Sequence, residues 1–159
     1  MKISIGSDHA GFELKETLAE HLRARGNEVI DRGTHSNESV DYPDYAQDVA
    51  RDVASGEAKF GVLVCGTGIG MTIVANKVRG IRAANCTSED YARLAREHND
   101  ANVACFGARF TSAEDAQKWL DVFLSTPFAA GRHTRRRVKI ELMEMPPEES
   151  DEEENSGAC

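Results

Sequence analysis

The chain has 159 residues, of which 40% are hydrophobic and 29% charged, enough apolar material for one domain with a buried core. Aromatics make up only 6%, a poor basis for stacking as a main binding mode, and no apolar run nears the ~20 residues of a membrane span. Residues 141–159 hold eight of the 27 acids and neither Lys nor Arg, so behind the net charge of −8 the rest balances 19 acids against 19 bases, without the basic face a nucleic-acid surface needs.

The chain alternates short apolar runs with helical stretches. Ile3–Gly6 reads as a strand that ends in Ser7-Asp8-His9-Ala10-Gly11. The stretch 11–25 places Phe12, Leu14, Leu18 and Leu22 at helical spacing, with Gly26 as its stop. Glu28–Asp31 is a second strand, and the polar stretch 32–42 a loop. Pro43 sits in the first turn of a helix that runs to Ala54 before Gly56. Phe60–Cys65 is apolar on both faces, as a central parallel strand is. Gly66-Thr67-Gly68-Ile69-Gly70 follows, then a helix to about Val78 and a strand over Ile81–Asn85. Ser88 is the N-cap of the next helix, with Asp90 in its first turn. Asn102–Phe106 is the fifth strand, Ser112 opens a helix with Trp119, Leu120 and Phe123, and a last helix covers 132–143. Beyond Pro146-Pro147 the composition predicts disorder.

Five strands alternating with helices predict an α/β fold, a parallel sheet covered on both faces. Ligands in such sheets bind past the carboxyl ends of the strands. That rule nominates Ser7–Gly11, Cys65–Gly70, Cys86–Thr87 and Gly107–Arg109. The start MKISIGSDHAG is too short an apolar stretch for a signal peptide. Cysteines at 65, 86, 105 and 159 form no CxxC pair, which disfavours a zinc ribbon or redox dithiol and predicts a reduced, cytoplasmic protein.

Four places carry possible chemistry. Three glycines after Cys65 allow a sharp strand-to-helix turn whose free amides converge on an anion or oxyanion. Positive electrostatics there would favour a Cys65 thiolate; the plain alternative is a buried cysteine beside a tight turn. Asp8 and His9 face a ligand, or are a helix cap and a solvated side chain. GSDHAG also lacks the GxGxxG of a dinucleotide site, and Asp31, at the position of a ribose-binding acid, is read as coincidence. His98 can exchange a proton and Asn99 can bind hydroxyls, or both cap a helix. Arg132 and Arg136 share a helix face and suit a phosphate monoester, with Arg109 as a third contact. Alternatively the basic run is a solvated turn or a partner for the acidic end. His21 and His35 read as solvated surface residues, Cys86 and Cys105 as core packing, and Cys159 as exposed.

Taken together and in order, GSDHAGFELKE, DYPDYA, CGTGIGMTIVANKVRGIRAA, REHNDANVACFGAR and GRHTRRRV resemble the family of ribose-5-phosphate isomerase B, which includes allose- and galactose-6-phosphate isomerases. The resemblance covers residues 1 to about 140, giving an isomerase domain over 1–145 and an acidic tail over 146–159. It implies a three-layer α/β/α, Rossmann-like fold with a five-stranded parallel sheet, in a homodimer or dimer of dimers. It implies interconversion of ribose 5-phosphate and ribulose 5-phosphate through an enediolate, in the non-oxidative pentose phosphate branch, with no metal or organic cofactor. A six-carbon sugar phosphate, or a non-catalytic nucleotide-binding module, remains the alternative.

By motif, the resemblance makes Cys65 the base that moves a proton between C1 and C2. Some members use a glutamate after the glycine loop, where this chain has Met71. Thr67 would handle protons at O1 and O2, and the amides of Gly66, Thr67, Gly68, Ile69 and Gly70 would hold the enediolate. Asp8 and His98 would open the furanose ring, with His98 as proton donor. His9, Arg109, Arg132 and Arg136 would bind phosphate, and Asn99 sugar hydroxyls; His98, Asn99 and Arg109 would enter from the neighbouring subunit. An extra arginine precedes Val138, so Arg136 or Arg137 fills the last position, and ungapped spacing selects Arg136.

Overall fold

The computed structural model describes residues 1–144. The acidic tail expected over 146–159, with Cys159, lies outside the described residues. Five strands, β1 (Lys2–Ser7), β2 (Glu28–Asp31), β3 (Phe60–Cys65), β4 (Ala83–Asn85) and β5 (Val103–Gly107), form one sheet in the order β2-β1-β3-β5-β4. Every neighbouring pair is parallel. The helices are α1 (Phe12–Ala24), α2 (Tyr42–Ala54), α3 (Ile69–Ala75), α4 (Glu89–Asn99), α5 (Ala113–Ser125) and α6 (Arg132–Leu142).

The pleat sends successive side chains to opposite faces, and β3, buried throughout, feeds both. Val62 and Val64 join Leu14, Leu18 and Leu22 of α1 with Leu120 and Phe123 of α5. Leu63 and Cys65 face the other way, onto Val49 and Val53 of α2 and Met71 and Ala75 of α3. This is the three-layer α/β/α arrangement expected. Ser88 and Ser112 cap α4 and α5 by accepting the N–H of Tyr91 and of Asp115.

Two elements are shorter than predicted. Helix α3 stops at Ala75 because the Asn76 carboxamide turns to the backbone of Ala83, accepting its N–H and donating to its carbonyl. Strand β4 begins only at Ala83, since the Arg82 N–H donates to the Asn102 side chain instead of the ladder. His21 corrects its expectation as well: it is half-buried and bonds Asp121 of α5 at 2.9 Å. His35 is exposed, as predicted.

Lys15 is the largest departure from the sequence pattern, a lysine with 0% exposure at the end of the first turn of α1. Its ammonium donates to both oxygens of Asp31 at 2.9 and 2.8 Å, and Asp31 also accepts the Gly33 N–H. The carboxylate considered for a ribose is thereby committed to a lysine and a peptide. Gly33 and Thr34 in turn exchange backbone hydrogen bonds with Ser7, so this buried pair steadies the carboxyl end of β1.

Candidate active site

The strand order runs outward in opposite directions from β1 and β3, and crevices in open α/β sheets form at such a switch point. Ser7–Gly11 and Cys65–Gly70 meet there. The Asp8 N–H donates to the Val64 carbonyl at 3.2 Å. One Asp8 carboxylate oxygen accepts the Gly11 N–H at 2.9 Å; this closes the turn ahead of α1, whose N-cap is Gly11 with no side-chain cap bond, and occupies only that oxygen. His9 Nδ1 accepts the Val40 N–H at 3.2 Å, which assigns the ring proton to Nε2 and ties the 32–42 loop to the site.

Cys65 ends β3 with 5% of its surface exposed. The Gly68 N–H donates to its sulfur at 3.2 Å. The turn that allows this needs a left-handed residue, and Gly68 has φ +78°. The loop's carbonyls point away from the cleft. Those of Cys65 and Gly66 accept the N–H groups of Ala108 and Arg109; Thr67 accepts Asn85 Nδ2 at 3.3 Å; Gly68 accepts the Thr72 hydroxyl at 2.7 Å. The Thr67 hydroxyl oxygen accepts the Ile69 N–H at 3.2 Å, leaving its proton to donate. Gly107 brings β5 under the loop: a Cβ there would fall 2.7 Å from the Thr67 carbonyl. The Arg109 guanidinium lies against Gly66 of its own chain, and the Tyr42 ring against Gly70.

The other cysteines have no comparable setting. Burial pushes the Cys86 thiol up to about 12 and raises that of Cys105 too, so both are neutral packing groups, as predicted. Met71 is fully buried in the core and offers no base.

A second group gathers around α4 and α6. His98 and His133 stack with ring centroids 4.2 Å apart and planes 9° apart. Burial, then the charge of His98, Arg132 and Arg136, holds His133 below the usual histidine value of 6.5. His98 and Asn99 line a groove of about 350 Å³ with Asn85, Tyr91 and Leu94. Arg132 and Arg136 are exposed; Arg132 Nε donates to His133 Nε2 at 3.4 Å, and Arg136 has no partner among the described residues. Arg137 instead bonds Asp100 at 3.2 Å. Among the described residues no hydrogen bond or ion pair joins this group to Cys65, Asp8 or His9; Asn85 stands between the two, touching the glycine loop and lining the groove. From sequence no site role attaches to Asn85, Asp100 or His133, although Asp100 lies inside the His98-Asn99 stretch and His133 inside the basic run.

Large apolar side chains surround this region in the open: Ile69 and Ile73 on α3, Tyr91 on α4 and Phe110 after β5, the last 79% exposed. No helix among the described residues is long and apolar enough to cross a membrane.

A family model described as Ribose/Galactose Isomerase matches residues 3–140. The chain is 48% identical over 144 residues to ribose-5-phosphate isomerase B of Escherichia coli, covering 91% of this chain and 97% of the relative. Its fold superposes on a ribose 5-phosphate isomerase crystal structure from Thermotoga maritima with a TM-score of 0.87 and 57% identity, over 89% and 97% of the two chains. A ribose-5-phosphate isomerase B from Mycoplasma genitalium, solved with bound ribulose-5-phosphate, gives a TM-score of 0.86 and 43% identity, over 90% and 95%.

Proposed function

The chain belongs to the ribose/galactose isomerase family, and from this we infer that it is an aldose–ketose isomerase interconverting ribose 5-phosphate and ribulose 5-phosphate. The observation that carries the chemistry is the Gly68 N–H donated to Cys65 Sγ inside a loop whose carbonyls are tied back.

The proton on C2 of the open-chain aldose is weakly acidic, and its removal leaves negative charge on O1. We assign removal to the Cys65 thiolate, which takes the C2 proton and returns it to C1. The amides of Gly66, Thr67 and Gly70 meet the enediolate oxygens, those of Gly68 and Ile69 being shared with Cys65 Sγ and the Thr67 hydroxyl, and the Thr67 hydroxyl hands protons between O1 and O2. Preorganised donors of this kind are usually the largest electrostatic contribution to such a step. Asp8 and His98 open the furanose ring. His9, with its proton on Nε2, and Arg109, Arg132 and Arg136 hold the phosphate, and Asn99 the hydroxyls. The pairing of Arg137 with Asp100 supports Arg136 as the phosphate ligand. Phosphate binding far from the reacting carbons supplies the orientation that a flexible sugar lacks.

The separation of the two groups of residues within one chain supports a homodimer. A second copy would bring His98 and Asn99 to the cleft of the first, and the exposed Ile69, Ile73, Tyr91 and Phe110 give that contact an apolar centre. Arg109, against its own Gly66, belongs with the Cys65 group. Free thiols at Cys65, Cys86 and Cys105 fit a reducing cytoplasm.

Two measurements test the assignment. Side-by-side kcat/KM for ribose 5-phosphate, allose 6-phosphate and galactose 6-phosphate should favour the pentose; preference for a hexose phosphate would move the substrate to six carbons. Cys65→Ala should lower kcat by at least ~10²–10⁴ while calorimetry still detects sugar-phosphate binding. Wild-type turnover in that variant removes Cys65 as the base.

A further inference from the structure

Arg137, the last base of the run, is not among the residues assigned to the substrate. Its surroundings give it another task. Helix α6 buries only His133 among its residues, so apolar packing alone cannot hold it in place. It is held by polar ties instead. At its start His133 stacks on His98. After its end the Glu144 carboxylate accepts the Gly80 N–H at 2.9 Å. Between them Arg137 Nη1 reaches Asp100 Oδ2 at 3.2 Å, and its guanidinium lies over the Phe128 ring at 5.6 Å.

Asp100 is built to receive it. This residue follows Asn99 directly and ends α4 as its C-cap at φ +49°, a left-handed conformation that aspartate adopts more readily than most side chains. The same carboxylate accepts from Arg96 of α4 at 2.8 Å and from Arg82 at 3.3 Å. Arg82 Nε donates to the carbonyls of both Asn99 and Asp100 at 3.0 Å. Glu141 of α6 closes the network, within 3.5 Å of Arg82 and 3.6 Å of Arg137. Three guanidinium groups and two carboxylates, four of the five side chains less than one-third exposed, thus join the residue after His98-Asn99 to the helix of Arg132 and Arg136.

We propose that Arg137 is a positioning residue: through Asp100 it locks α6 to the end of α4, and so sets the spacing between the phosphate-binding arginines and the sugar-binding His98 and Asn99. This rests on the phosphate role assigned above to Arg132 and Arg136. A misplaced anchor weakens binding of the ground state and the transition state alike, so the effect falls on KM.

The test uses the full-length enzyme with ribose 5-phosphate. Arg137→Gln should raise KM by roughly five- to thirtyfold with kcat changed less than about threefold. Arg137→Lys should recover most of the loss. Asp100→Asn, which leaves Arg137 intact, should raise KM by a similar factor, and the double variant should be no worse than either single one. A direct contact between Arg137 and phosphate predicts the opposite: Asp100→Asn would leave KM unchanged or lower it, and the two effects would be independent. That result overturns the proposal, as does an unchanged KM in Arg137→Gln. Arg132→Ala, measured in parallel, separates the failures. If it raises KM while Arg137→Gln does not, only the positioning role is lost; if it too leaves KM unchanged, the phosphate role of α6 falls first.

Discussion

Gly68→Ala isolates the loop geometry on which the chemistry depends. An alanine at φ +78° costs about 1–2 kcal/mol in backbone strain. Its Cβ would also fall against Asn85 Oδ1, 3.1 Å from Asn85 Cγ and 3.1 Å from the Phe106 backbone carbon. Neither neighbour yields easily, because the carboxamide is tied to Thr67 and Phe106 belongs to a buried strand; overpacking of this kind costs roughly 1–3 kcal/mol. The sum, about 2–5 kcal/mol, corresponds to a fall in Tm of roughly 5–15 °C for a chain of this size. The larger consequence is chemical: displacing the Gly68 peptide takes its N–H from Cys65 Sγ and disturbs the donors beside it. Losing one such donor should lower kcat by ~10²–10³ in an assay of ribulose 5-phosphate formation. Gly26→Ala is the matched control, with φ +77° and no atom within 4 Å of the added carbon. It should cost only about 1–2 kcal/mol and leave kcat as it is. If Gly68→Ala loses no more stability than this control, or keeps wild-type kcat, the account of the loop is wrong.

Further expectations concern the frame around the site. Lys15→Met should destabilise the fold by roughly 3 kcal/mol, because it strands the Asp31 carboxylate, and Lys15→Met with Asp31→Leu should recover much of the loss in a urea melt. His133 titrates below its unfolded value of 6.5, so the unfolded chain binds the proton more readily. Its contribution to stability is therefore present above about pH 6.5 and lost as pH falls through the native value. Melts of wild type and His133→Gln should accordingly converge on acidification; parallel pH profiles would count against a neutral, stacked His133.

The element order, the all-buried central strand and the caps at Ser88 and Ser112 follow from local rules: pleat period, helical period and the hydrogen-bonding reach of a serine side chain. The same locality made the glycine loop after Cys65 and the basic run legible, because each is a continuous stretch whose chemistry depends on its own residues. Lys15 was not legible. Helical spacing sets it on the same face as Leu18, Ala19 and Leu22, but only the strand order shows that Asp31 stands there to receive its charge. Nor could sequence show that His98 stacks on His133, that Asn85 holds Thr67, or that Arg137 rather than Arg136 turns to Asp100. These are partnerships between elements far apart in the chain, and sequence periodicity states only which side of an element faces inward. Which element lies opposite is decided when the parallel sheet assembles as β2-β1-β3-β5-β4, since that order alone brings distant charges and donors within hydrogen-bond range.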